Sequence, residues 1–276
     1  MLNDIAHQEH LSVPISSAMQ VWLRPTLILV SCLALIACGS TPEHPGTAGK
    51  SQYGTWGGVL IGAPPAPNPR LRQAIISRAM QEWEFFDRQI VVFKGSEESI
   101  PHVGAWEDDG IRQSSRVNTY WRAAGQPALN GMDCQEPWSA AFISWIMQSA
   151  GVPEYQFPRS PSHSVYLASL IEQADMPDRW FVPRRITDYS PKPGDLICAY
   201  RGQSRPRMSN GYTSAPALDG IKSHCDLVVA KNPRTLEVIG GNVRNSVSRT
   251  TLEVDSQGHI QPTPRRPWFL VMENRL

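Results

Sequence analysis

Apolar positions fall into three regimes along the 276-residue chain. Between Leu27 and Ala37 they run almost unbroken as LILVSCLALIA. From Leu71 they recur at three- and four-residue spacing. Beyond Trp180 they gather in short β-branched or aromatic runs separated by turn residues. The helical regime starts with Leu71, Ile75, Ile76, Ala79, Met80, Trp83 and Phe86, which place one apolar stripe on one helix. A Gly-, Glu- and Asp-rich loop is expected over roughly 94 to 110. Val117, Tyr120 and Trp121 mark a second, short helix ending near Gly125. In a third, Pro137 suits the first turn, Trp138, Ala141, Phe142, Trp145 and Ile146 form the buried face, and Gly151 closes the helix. A fourth is expected from Ser162 to Ala174.

Strands are expected at Trp180 to Ile186, Asp195 to Tyr200, Asp226 to Ala230, Leu236 to Gly240, Ser246 to Val254 and Trp268 to Met272. Pro191-Lys192-Pro193-Gly194 is a tight turn feeding the Asp195 strand. Residues 201 to 223 form a long polar loop, a length that is usually functional. Helices first and an antiparallel sheet second define an α+β domain over residues 71–276.

The Leu27–Ala37 run is too short to span a bilayer, which takes about 20 apolar residues, but it suits the core of a signal peptide behind Arg24. Its end, Leu35-Ile36-Ala37-Cys38-Gly39, resembles the lipobox of bacterial lipoproteins. That resemblance implies cleavage before Cys38 and lipidation of its thiol. Asp4, His7, Glu9, His10 and Pro14 do not resemble a basic leader, whereas Met19 opens a conventional one, which points to translation from Met19. Residues 1–37 are thus expected to be removed. Residues 38–70, rich in Pro, Gly, Ser and Thr, read as a lipidated tether. With Gly39 and no Asp after the cysteine, the resemblance to Gram-negative lipoproteins implies sorting to the outer membrane, facing the periplasm.

Net charge is +1, which argues against nucleic acid as a partner. Nine tryptophans and 24 prolines suggest many loops and an aromatic-rich surface or groove. Cys134, Cys198 and Cys225 match no zinc spacing, and no metal or cofactor is expected. In an exported chain disulfides can form, and three cysteines leave one thiol over.

Four segments carry candidate chemistry: Glu136-Pro137-Trp138-Ser139-Ala140-Ala141-Phe142-Ile143-Ser144-Trp145, Pro193-Gly194-Asp195-Leu196-Ile197, Ser223-His224-Cys225-Asp226-Leu227-Val228-Val229, and Ile239-Gly240-Gly241-Asn242. Together, in this order, they resemble the bacterial family called domain of unknown function 2272. That family resembles the papain-like cell-wall hydrolases, the NlpC-like and CHAP amidases and peptidases. The resemblance implies a papain-like fold with a nucleophile opening the first core helix, a histidine starting a strand, and a polar residue on the next strand orienting it. These places fall on Ser139, His224 and Asn242. The usual cysteine is absent, so Ser139 is either a working nucleophile or the trace of a lost one. The resemblance also implies that the Asp195 and Asp226 strands are antiparallel neighbours, which puts Cys198 beside Cys225 for a disulfide.

A helix N-terminus favours negative charge. A serine there gains less than a cysteine, because it must give up its proton as it attacks. Cys134 is the rival nucleophile, since Asp133-Cys134 resembles the Asp-Cys pair of NlpC-like enzymes, although it precedes Pro137 and belongs to the entering loop. Trp138 is expected to border the groove together with the 201–223 loop. His163 either lines that groove or caps the fourth helix.

The resulting expectation is a monomeric cell-envelope lipoprotein that cleaves an amide or peptide bond of peptidoglycan. A papain-like module that binds wall peptides without cutting them, and an acyl-transfer activity, stand beside it. The anchor has its own test: metabolic labelling with a palmitate analogue should mark the wild-type chain and not Cys38→Ala. Label retained by Cys38→Ala in the membrane fraction removes the anchor assignment.

Overall fold

The computed structural model describes residues 54–202, 212–261 and 263–276. The expected signal segment, Cys38 and the tether up to residue 53 lie outside the described residues, as does part of the long polar loop. Among the described residues no helix is long and apolar enough to cross a membrane.

The chain forms a small hairpin, β1 (Thr55–Trp56) and β2 (Val59–Leu60), and then α1 (Pro69–Phe85). β3 (Gln89–Lys94) and β4 (Glu97–His102) follow, then α2 (Ile111–Ala123), α3 (Ser139–Ala150) and α4 (His163–Glu172). The remaining strands are β5 (Phe181–Arg184), β6 (Leu196–Tyr200), β7 (Ser223–Lys231), β8 (Thr235–Val243), β9 (Ser246–Glu253) and β10 (Trp268–Asn274). Eight strands make one sheet in the order β4-β3-β9-β8-β7-β6-β10-β5. Every pairing in it is antiparallel except β3 with β9. The domain is therefore α+β, with four helices and a large, mostly antiparallel sheet.

Helix ends follow their local chemistry. Asn68 caps α1 by accepting from the Leu71 N–H at 3.1 Å, with Pro69 in the first turn. Gly151 ends α3 in the left-handed conformation at φ 92°, which glycine adopts without steric cost. Pro137 lies just outside α3, and Trp138 occupies the N-cap without a side-chain cap bond.

The helices cover one face of the sheet, where Ile75, Trp83, Phe142, Ile146, Leu227 and Phe269 share a core. A smaller core covers the other face, with Val91, Ile197, Val228, Val238 and Val271. Alternation along β6 and β7 follows from the pleat. Leu196, Cys198, Cys225 and Leu227 point to the helices, whereas Ile197 and Ala199 point to the other face. Cys198 and Cys225 are direct cross-strand partners and form a disulfide, with Cα atoms 4.2 Å apart.

Three sequence expectations need correction. The 94–110 loop contains β4, paired with β3 as the sheet's edge. β4 is mostly exposed and polar, so no buried face marks it. The tether does not extend to residue 70. Trp56 and Ile61 are buried, and the Trp56 indole N–H donates to the Thr213 carbonyl at 3.0 Å. Trp138 does not border a groove. It is 1% exposed, stacks on Phe86 and Tyr120, and donates its indole N–H to Glu107. The tryptophans thus serve the core more than a surface: Trp56, Trp83, Trp121, Trp138 and Trp268 are all buried.

The start of α3 is pressed onto β8. A Cβ on Gly241 would lie 2.5 Å from Phe142 Cβ and 2.7 Å from the Trp138 ring. Gly241→Ala should therefore destabilise the fold by roughly 2 kcal/mol, the scale of overpacking a tight core, as read by urea unfolding. An unchanged midpoint would show that α3 is not held by this contact.

Candidate active site

Ser139 is the first residue of α3 and is 2% exposed. The first N–H groups of a helix have no intrahelical acceptor, and Trp138 supplies no side-chain cap. Three residues later the Phe142 N–H closes the first helical bond onto the Trp138 carbonyl at 2.9 Å. Ser139 Oγ thus sits at the positive end of a buried helix.

Its partner is His163, 2.7 Å away at Nε2. His163 opens α4 and is buried. Its other ring nitrogen, Nδ1, is hydrogen-bonded to the hydroxyl of Tyr166, one turn along the same helix. The start of α4 is tied to α3 by Ser144. Its fully buried hydroxyl donates to the Ser160 carbonyl and accepts from the Ser160 N–H, both at 3.0 Å. Burial, reinforced by the neighbouring His224, pushes His163 well below the usual histidine range. The ring is therefore neutral at pH 7, with one N–H and one lone pair.

His224 is the second residue of β7 and, paired with Ala199, starts out on the other face of the sheet. Its Nε2 is 2.7 Å from Asp226 Oδ1. Asp226 is two residues on, hence on the same face, and its second oxygen accepts from Arg266 at 2.6 Å. Burial raises the Asp226 carboxyl, but His224 and Arg266 outweigh it and hold the group down at about 2. Burial lowers His224, against the pull of Asp226. Gly240 leaves room for the pair, since a Cβ there would fall 1.8 Å from Asp226 Oδ1. The two imidazoles meet edge to face, with ring centroids 5.5 Å apart.

Ser139 and His163 line a groove of about 960 Å³, with Cys134, Asn242 and the 218–223 segment on its walls. The long polar loop therefore contributes to the groove. The hydroxyl of Ser139 faces the imidazole of His163, and His224 pairs with Asp226 instead. Asn242 makes no hydrogen bond to His224 among the described residues. Its backbone is left-handed at φ 53°, where the β8–β9 register is interrupted between Gly240 and Val243, a conformation Asn tolerates. Cys134 is exposed, and its thiol faces Asp108 Oδ2 at 3.8 Å rather than an imidazole. Desolvation and the Asp108 and Glu107 carboxylates push the thiol up, opposite to an activated nucleophile. Tyr166, Asp226 and Arg266 escaped the sequence reading. Two signals pointed to them: His163 and Tyr166 at i,i+3 on one helix, and His224 and Asp226 at i,i+2 on one strand.

Among the described residues no three His, Cys, Asp or Glu side chains are grouped to hold a metal ion. The arrangement can instead move a proton between Ser139 and His163 beside a buried anion.

A buried serine–imidazole contact in a groove, carried by an α+β domain, defines the class of protein. Residues 103–274 match the family model described as uncharacterized protein conserved in bacteria, DUF2272. The chain belongs to that family. No curated protein and no solved structure matches it.

The buried groups set an acid limit on stability. His163 and His224 are held below 6.5 when folded, so the unfolded chain binds more protons as pH falls below that value, and stability declines. Asp226, at about 2 when folded against 3.8, adds stability that is present above 3.8 and lost as pH falls toward 2. Burial holds the Asp195 carboxyl up at about 7, which acts in the opposite sense, so the imidazoles are read by difference: from pH 7 to 5 the urea midpoint of the wild type should fall relative to that of His224→Gln. An identical pH dependence of the two midpoints would contradict a neutral buried His224.

Proposed function

We propose that this chain is a cell-envelope hydrolase that cleaves an amide or peptide bond of peptidoglycan or its peptide fragments, with Ser139 as nucleophile and His163 as general base. The observation that carries this is the 2.7 Å contact between Ser139 Oγ and His163 Nε2 at the start of a buried helix, inside a groove. In the attacking tautomer Nδ1–H donates to the Tyr166 oxygen, and Nε2 accepts the Ser139 proton. Ser139 Oγ then bonds to the carbonyl carbon. The new oxyanion faces the free N–H groups of the first turn of α3. As the intermediate collapses, the C–N bond breaks and His163 returns the proton to the leaving amine. Water repeats the sequence to release the acyl group. The imidazolium formed in between is favoured by the Asp226 charge, which raises His163 against its burial.

The papain-like likeness supports the substrate class. It rests on the sequence pattern from Trp138 to Asn242 and on a helix start seated on an antiparallel sheet. The lipobox resemblance of Leu35-Ile36-Ala37-Cys38-Gly39 supports the location, a membrane-tethered domain of the periplasmic face that can reach the wall.

A second reading is a module that binds wall peptides without turnover. The Tyr166 hydroxyl favours it, because His163 is its one hydrogen-bond partner among the described residues. If Tyr166 donates to Nδ1, then Nε2–H donates to Ser139 and no base faces the hydroxyl.

Mass spectrometry of peptidoglycan fragments incubated with the full chain separates the two. Turnover should fall by on the order of 10⁴-fold in Ser139→Ala and in His163→Ala. Ser139→Cys should keep activity, because the helix start favours a thiolate. With His163 neutral, kcat/KM should stay level from pH 7.5 through 6.5 and drop only at lower pH. Intact fragments with the wild type leave the binding module standing.

A further inference from the structure

On the face of the sheet away from α3, a second cavity of about 270 Å³ opens beside His224. It shares Arg201 and Asn242 with the groove, so the two spaces meet at the site. Four arginines line it: Arg201, Arg244, Arg265 and Arg266. They come from separate places in the chain: the end of β6, the turn after β8, and the segment leading into β10.

Three of the four are fixed. Glu98 on β4 accepts from Arg244 at 2.9 and 2.6 Å and from Arg265 at 3.0 Å. Arg266 is held by Asp226 at 2.6 Å, with its guanidinium 5.5 Å from the Phe93 ring centroid and 5.9 Å from that of Trp268. Arg201 makes no ion pair among the described residues. Among the described residues four guanidinium groups therefore meet two carboxylates, and the cavity keeps a surplus of positive charge at Arg201. Guanidinium groups match oxyanions with two parallel hydrogen bonds.

We propose that this cavity is an oxyanion subsite that holds a free carboxylate of a peptide, next to the bond addressed by Ser139. The inference rests on the reading of Ser139 and His163 as the reacting pair. The groove's own charges favour a peptide over a phosphate. Glu172 and Asp219 line it together with Arg201 and Lys222, so a ligand bearing an amine and a carboxylate finds both complements, whereas a multiply charged anion meets repulsion.

Calorimetry on the full chain tests this with two acyl-dipeptides that differ only in a C-terminal carboxylate or carboxamide, and with inorganic phosphate. The acid should bind roughly 10- to 100-fold more tightly than the amide, the worth of a charge-assisted hydrogen bond. Arg201→Gln should bring the ratio near parity, and Arg201→Lys should keep part of it. Arg265→Gln, on another part of the wall, gives an independent reading if Arg201→Gln fails to fold. Equal binding of acid and amide, binding of neither, or phosphate binding as tightly as the acid overturns the proposal. Hydrolysis with equal binding removes the subsite alone. A clear acid preference without hydrolysis removes the nucleophile assignment alone.

Discussion

The position of Ser139 depends on two missing side chains. Gly240 and Gly241 on β8 let the sheet approach α3 on one side and admit the His224–Asp226 pair on the other. Neither glycine has a positive φ, so the requirement is space and not backbone freedom. Any Cβ at Gly241 enters Phe142 and Trp138, the residues that bracket the first turn of α3. Phe142 and Trp138 are at most 1% exposed and share an aromatic cluster with Tyr120 and Phe86. The cluster cannot yield without reorganising α1, α2 and α3 together. A reacting hydroxyl at Ser139 is thereby fixed by the core and not by a loop.

The parity of β7 decides which imidazole Ser139 meets. Cys225 is bonded to Cys198 and faces the helices with Leu227. His224 and Asp226, one residue to either side of Cys225, must then face away. The His224 ring nevertheless lies 5.5 Å from that of His163 between centroids, while the Ser139 hydroxyl contacts His163 directly. The partner comes from α4 instead. His163 was visible in the sequence as a helix-start histidine, but its role needed Ser144. That hydroxyl bonds both polar groups of Ser160 and sets the start of α4 against α3. A contact between residues 16 apart, through one buried serine, has no periodic signature.

The same distinction runs through the fold. Helices α1 and α3 could be read from their apolar stripes, and the end of α3 from Gly151, because these signals agree with one another. Strands β6 to β10 could be read because they are bounded by turns and buried on at least one face. β4 could not, since it is an edge strand whose polar sequence leaves no buried face to detect. β3 alternates buried and part-exposed residues between β4 and β9, and Gln89 at its start donates to the Val243 carbonyl at 3.0 Å and to Ser248 Oγ at 2.7 Å. Trp138 was misplaced for a related reason. An aromatic residue at a helix start fits a groove wall and a core equally well in sequence, and only the buried Glu107 acceptor for its indole N–H separates the two.

The two sides of the sheet are linked by charge. Asp226 is a fully buried anion that touches His224 and Arg266. Its field also raises His163, while the His224 ring lowers it. A proton arriving on His163 is therefore stabilised by a carboxylate on the far face of the sheet, as long as His224 between them stays neutral. Arg266 opposes that stabilisation, because it already neutralises one oxygen of Asp226. An anion in the arginine-lined cavity would draw on the field of Arg266 and leave more of the Asp226 charge to the imidazoles. Ligand binding on one face of the sheet and proton affinity on the other are then coupled through a single carboxylate. Such coupling is reciprocal: whatever raises the proton affinity of His163 must also tighten the hold on the anion.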